Sequence, residues 1–159
     1  VFSSSVIDGM DGLSGGVLSS VFLAYTLICL FQNLNDLAAF CAVITGAILA
    51  FLWFNIPPAR FYMGETGMIG LTVTLSVIAF LTNTVLLLPI IAFPLFMTSL
   101  SNIIQIASKK FRNGKRVFRL APLHHHFEAL GWPKYKVTMR YWIVGVMSAV
   151  LGVIISLMS

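Results

Sequence analysis

Four apolar runs, at about 13–31, 37–54, 68–88 and 137–158, dictate what this chain can become. As helices rising 1.5 Å per residue, each is long enough to cross the ~30 Å hydrocarbon core of a bilayer. No water reaches unpaired backbone groups there, so such runs must be helical. A fifth run, about 89–107, follows the third almost directly. Pro89 separates the two, and Pro94 is expected to kink the later one. The sequence therefore predicts an all-α polytopic membrane protein, with about five transmembrane helices in a single transmembrane domain over 1–159. Composition agrees. With 58% hydrophobic and 9% charged residues, the chain has too little polar surface for a water-soluble domain. It begins at Val1 rather than at a methionine, and is expected to be part of a longer protein. Cys29 and Cys41 lie inside apolar runs at a spacing that matches no metal motif, and read as small buried hydrophobes.

Five crossings put segments 1–12, 55–67 and 108–136 on one side of the membrane. Segment 32–36, the turn near Pro89 and the C-terminus fall on the other. All ten Lys and Arg residues then share the first side, which makes that side cytoplasmic by the positive-inside rule. Asp8, Asp11, Glu65, Glu128 and all three histidines are there too. Gly145, Ser148 and Gly152 form a small-residue stripe on the last run. It suits close packing within the chain or in a homodimer.

Three segments carry groups capable of chemistry. In "SSSVIDGMDGLSGG", Asp8 and Asp11 stand three apart, each followed by a glycine that lets a ligand or backbone approach. They read either as a solvated capping turn or as a magnesium or polar-ligand site. In "FNIPPARFYMGETGMIG", two prolines end a span and Glu65 sits where the next helix starts. Glu65 is either a first-turn acid favoured by the helix dipole or a magnesium ligand beside substrate phosphates. Tyr62 offers a ring for base stacking or for the membrane interface. In "SKKFRNGKRVFRLAPLHHHFEALGWPKYK", six basic residues between 109 and 119 precede His124, His125 and His126. The basic residues suit anionic lipid or a phosphorylated substrate. Adjacent histidines cannot all point one way, so donation to phosphate or proton transfer fits better than one metal held by all three. Together these groups suit magnesium-assisted phosphoryl transfer between a soluble nucleotide and a lipid phosphate.

The pieces "DGMDGLSGG", "FLWFNIPPARFYMGETG", "KKFRNGKRVFRLAPLHHHFEALGW" and "KVTMRYWIVG" resemble, in order, the C-terminal half of the polyprenyl-phosphate N-acetylhexosamine-1-phosphate transferases. The "APLHHHFE" run is similar to the branch acting on N-acetylmuramoyl-pentapeptide. The resemblance implies half of a roughly ten-helix fold in the bacterial inner membrane, with its site facing the cytoplasm. It implies transfer of phospho-N-acetylmuramoyl-pentapeptide from UDP to undecaprenyl phosphate, giving lipid I and UMP for peptidoglycan. It also implies Mg2+ held by Glu65 with Asp8, and uracil stacked on Tyr62. Asp8, Glu65, His124, His125 and His126 are the implied catalytic set, and Asp11, Asn55, Tyr62 and Arg119 the substrate-binding set. The implied partners are the two substrates, membrane lipids and an N-terminal half, with no nucleic acid.

This sequence departs from the family pattern at Glu65, where aspartate is usual, and at Ser5 and Ile7, where asparagine and threonine are usual. The family's paired aspartates of the N-terminal half have no counterpart, so the 159-residue chain alone is expected to be inactive. Two rival readings remain: a related transferase using UDP-N-acetylglucosamine, and a non-catalytic membrane scaffold. A transporter is disfavoured, because no ionisable residue lies near the middle of any run.

Overall fold

The computed structural model describes residues 10–111 and 117–158, and every described element is helical. In chain order the helices are α1 Leu13–Phe31, α2 Asn35–Asn55, α3 Gly64–Leu81, α4 Leu88–Ile91, α5 Phe93–Phe111, α6 Leu123–Ala129 and α7 Lys134–Met158.

The first helix is the axis of the bundle. Two thirds of it is enclosed by the protein, against about a third or less of α2, α3 and α7. Leu13, Val17, Val21, Phe22, Tyr25 and Ile28 are all buried along it, packed mainly against α2 and α7. Lipid tails are as apolar as leucine, so tight packing and satisfied hydrogen bonds hold such a bundle together more than burial does. Small residues make the close approaches. Gly145 of α7 lies against Ser20 and Val17 of α1, and Gly152 against Ile91 of α4. The small-residue stripe of α7 is thus used within the chain. Large apolar side chains such as Val43, Trp53 and Phe80 point outward.

Four helices, α1, α2, α3 and α7, combine the length and apolarity of a membrane span. The fifth expected crossing is a helix with a different character. Its buried residues include Thr98, Ser99, Ser101, Gln105 and Ser108. Thr98 and Ser99 donate to the carbonyls of Pro94 and Leu95, so their hydroxyls are satisfied inside the helix. Pro94 interrupts the run early, as expected. It occupies the first turn of α5, where a missing N–H costs nothing. The break comes just before it, at Ala92 between α4 and α5. The expected turn near Pro89 also comes earlier. Helix α3 ends at Leu81, and Asn83 takes a left-handed conformation (φ 59° at the comparable Asn33, 55° here). Thr82 Oγ1 donates to the Ile78 carbonyl at 2.8 Å, and the two threonine hydroxyls flanking Asn83 are 2.8 Å apart. These short-range bonds end the helix although the hydropathy stays high.

The two ends of the bundle differ. At one end, Gln32 Nε2 donates to the Thr82 carbonyl at 3.1 Å, tying the α1–α2 turn to the end of α3. The other end gathers the start of α1, the end of α2, the 56–63 loop, α6 and the start of α7. Arg60, Lys109, Lys110, Arg119, Lys134, Lys136 and Arg140 are all there.

Candidate active site

Gly12 begins the site. It precedes α1 with φ 72°, a conformation natural to glycine. Its N–H donates to Asn55 Oδ1 at 2.9 Å, and its carbonyl accepts from Trp142 Nε1 at 2.9 Å. The Asp11 carbonyl accepts from Thr138 Oγ1 at 3.2 Å. The turn before α1 is therefore fastened to the last residue of α2 and to the first three turns of α7. Asn55 is fully buried, and its Nδ2 donates to the Phe61 carbonyl at 2.8 Å. This amide, expected to contact substrate, is enclosed as a brace between two loops.

The Asp11 side chain extends the same construction. One carboxylate oxygen accepts from the Tyr62 hydroxyl, the other from the Ala59 N–H at 3.3 Å. Asp11 thereby fixes the proline-rich loop and the tilt of the Tyr62 ring. Tyr62 is more than half exposed, so the ring presents an open surface. Beyond it, Gly64 takes φ 74° and Glu65 stands exposed in the first turn of α3, where the helix dipole favours an acid. Asp8, with Ser5 and Ile7, lies outside the described residues. Among the described residues no three of His, Cys, Asp and Glu gather into a metal-holding group. Magnesium commonly takes only one or two protein carboxylates and completes its shell with water and phosphate, and an exposed Glu65 is compatible with that.

The histidines fan out along α6, as consecutive helical residues about 100° apart must. The Leu123 N–H donates to Ser101 Oγ at 3.1 Å, docking the start of α6 on α5. His124 turns inward and is fully buried, its ring 4.4 Å from that of His125 and 6.4 Å from that of Tyr141. His125 Nδ1 meets Glu128 Oε2 at 3.0 Å, and Lys134 Nζ lies 3.8 Å from the other carboxylate oxygen. An imidazole that donates Nδ1–H to a carboxylate presents its Nε2 lone pair as an acceptor. His126 has the opposite polarity. Its Nδ1 accepts the Arg119 N–H at 3.2 Å, so in the neutral ring Nε2 carries the proton and can donate.

One supporting residue escaped the sequence reading. Gln105 of α5 is buried and grips the segment before α6. Its Oε1 accepts from the Val117 and Phe118 N–H groups, and its Nε2 donates to the Phe118 carbonyl. The only signal was an amide in a largely apolar stretch. The structure thus builds two groups. Asp11, Asn55 and Tyr62 are bonded directly or through Gly12 and Phe61, and the three histidines with Arg119 form the other. The first three turns of α7 stand between them, holding the Asp11–Gly12 turn through Thr138 and Trp142 and meeting His124 through Tyr141.

His124 gives a pH signature. Neither ring nitrogen has a hydrogen-bond partner among the described residues. Burial, aided by His125 and opposed by Glu128, pushes its pKa from 6.5 down to about 4. Between those values the unfolded chain binds the extra proton more readily, so stability rises with pH across that window. The contribution is complete above about pH 6.5 and is lost as pH falls through about 4. Thermal midpoints in detergent are expected to fall as pH is lowered through this range. His124→Phe should flatten that part of the profile.

The apolar bundle thus collects an anchored aromatic ring, carboxylates, imidazoles and cations at one end, the frame of a polytopic membrane protein. Residues 4–83 match Glycosyl transferase family 4, and the chain belongs to that family. It is 42% identical over 151 residues to the phospho-N-acetylmuramoyl-pentapeptide-transferase of Geobacillus thermodenitrificans (strain NG80-2), covering 95% of this chain and 46% of that protein. The protein of the same name from Rubrobacter xylanophilus is 43% identical over 148 residues, covering 93% of this chain and 44% of its own. The chain spans less than half the length of these curated relatives.

Proposed function

We propose that this chain forms the C-terminal half of a transferase that moves phospho-N-acetylmuramoyl-pentapeptide from its UDP carrier to undecaprenyl phosphate. An oxygen of the lipid phosphate attacks the sugar-bearing phosphorus of the donor. The bond from that phosphorus to the bridging oxygen breaks, UMP leaves, and the diphosphate-linked lipid I remains. The observation that carries this reading is 42% identity, across 95% of the chain, to a transferase of that name.

Each part of the site has a task. Tyr62 stacks on uracil, and Asp11 holds the phenol so that the ring keeps its angle. Asn55 positions the two loops. Glu65, with Asp8, would hold magnesium, which when bound would supply charge neutralisation for the diphosphate. Arg119 faces phosphate, His126 donates through Nε2, and His125 accepts a proton at Nε2. The concentration of cations at this end supports a cytoplasm-facing site in the bacterial inner membrane. An N-terminal half supplies the remaining helices.

The test is UMP release by this chain reconstituted with the N-terminal half of the Geobacillus relative. Release is expected with the muramoyl-pentapeptide donor, and Glu65→Gln should lower kcat by about 10²-fold or more, the scale on which fixed electrostatic partners act. Turnover with UDP-N-acetylglucosamine alone would assign the chain to a different branch. Undiminished activity in Glu65→Gln would remove Glu65 from metal binding.

A further inference from the structure

A cleft of about 290 Å³ opens between α5, α6 and α7. Phe93, Met97, Leu123, Phe127, Trp132 and Val144 line it, and Arg140 is the charged residue on its wall. The Trp132 ring stacks on Phe127 with centroids 5.0 Å apart. It also carries two cations, with Arg140 Cζ 4.2 Å and Lys136 Nζ 5.1 Å from its centroid. Contact with a ring face uses none of the five in-plane N–H donors of a guanidinium, so Arg140 keeps them for an anion. Among the described residues both ion pairs go to Glu128, from His125 and Lys134. Arg140 and Lys136 take part in neither, and both are exposed.

Depth and direction narrow the occupant. Helix α7 has 25 residues, about 37 Å at 1.5 Å per residue, against a hydrocarbon core of ~30 Å. The charges of Lys134, Lys136 and Arg140 suit a start of α7 in the headgroup layer, with the apolar cleft beside and below it. Lys136, Arg140 and Val144 recur every four residues on one face of α7. Thr138 and Trp142, which hold the Asp11–Gly12 turn, are two positions away, about 200° around the helix. Val137 and Tyr141 line the cleft as well, so its α7 wall is centred about 130° around the helix from Thr138 and Trp142. Its apolar lining with a single guanidinium at the rim suits a resident lipid.

We propose that this cleft holds an acyl chain of an anionic phospholipid whose phosphate sits at Arg140 and Lys136. Trp132 reports on it directly. Its emission is isolated as the difference between the protein and its Trp132→Phe variant, since Trp53 and Trp142 also contribute. In vesicles, brominated phosphatidylglycerol is expected to quench Trp132 at a lower mole fraction than brominated phosphatidylcholine, by about fivefold for each cation engaged. Arg140→Gln should bring the two curves together. Lys136→Gln, at an exposed position, should narrow the gap even if the first variant folds poorly. Identical curves for the two lipids in the unaltered protein would overturn the proposal. So would displacement of brominated phosphatidylglycerol by undecaprenyl phosphate more effectively than by unlabelled phosphatidylglycerol, which would make the cleft an acceptor site. The readout needs no turnover, so its failure is separable from failure of the transferase reading.

Discussion

Asn55→Asp is expected to be among the most damaging single substitutions in the chain. The wild-type amide accepts from Gly12 N–H and donates to the Phe61 carbonyl while fully buried. Asn55→Ala leaves both backbone groups without their partner, at ~1–3 kcal/mol for each. Asn55→Asp keeps the acceptor but buries a carboxyl against the Phe61 carbonyl, so it either carries an unpaired charge or must take up a proton. The expected order of thermal midpoints in detergent is wild type, then Asn55→Ala, then Asn55→Asp, with the aspartate variant recovering partly at low pH. Both variants should expose the 56–63 loop to proteolysis. A stable Asn55→Ala protein with a protected loop would show that the brace is dispensable.

Gly16→Ala is the second large effect. An added methyl group at Gly16 would fall inside the Trp142 indole, against Nε1 and its neighbouring ring atoms. The ring must move, and its hydrogen bond to the Gly12 carbonyl goes with it. Overpacking of this kind costs about 1–3 kcal/mol, and the lost hydrogen bond adds about 1 kcal/mol. Because one ring carries both effects, the substitutions should not add. Trp142→Ala should absorb most of the harm of Gly16→Ala, so that the double variant is hardly less stable than Trp142→Ala alone. A strictly additive double variant, read from thermal midpoints, would show that Gly16 and Trp142 act independently.

Both positions show why parts of the fold were legible in the sequence and others were not. The runs at 13–31, 37–54 and 137–158 became α1, α2 and α7 within three residues at either end, because their apolar stretches stop abruptly at polar residues. The third apolar run continues to 88, but its helix ends at Leu81. Threonine barely lowers hydropathy, yet Thr82 and Thr84 close the helix around Asn83 by local hydrogen bonds. Helix α5 reads as apolar by composition, but its hydroxyls and Gln105 face inward, and only packing reveals that. In the site, Asp11 and Tyr62 were recognisable as separate candidates. Their hydrogen bond spans 51 residues, and no local pattern encodes it. The divergence of the histidines was foreseeable from helical geometry, whereas the burial of His124 depends on how α6 docks on α5 and α7.

The proposed transfer requires the 56–67 segment and the histidine helix to share the cytoplasmic face of the membrane, where a nucleotide donor can meet both. It is tested most directly with Glu65→Cys and His126→Cys, each in a chain whose Cys29 and Cys41 are replaced by alanine. A membrane-impermeant maleimide is applied to inside-out and right-side-out vesicles. Both cysteines are expected to label in inside-out vesicles and to stay unlabelled in the other orientation. Labelling of the two positions from opposite sides would contradict the account.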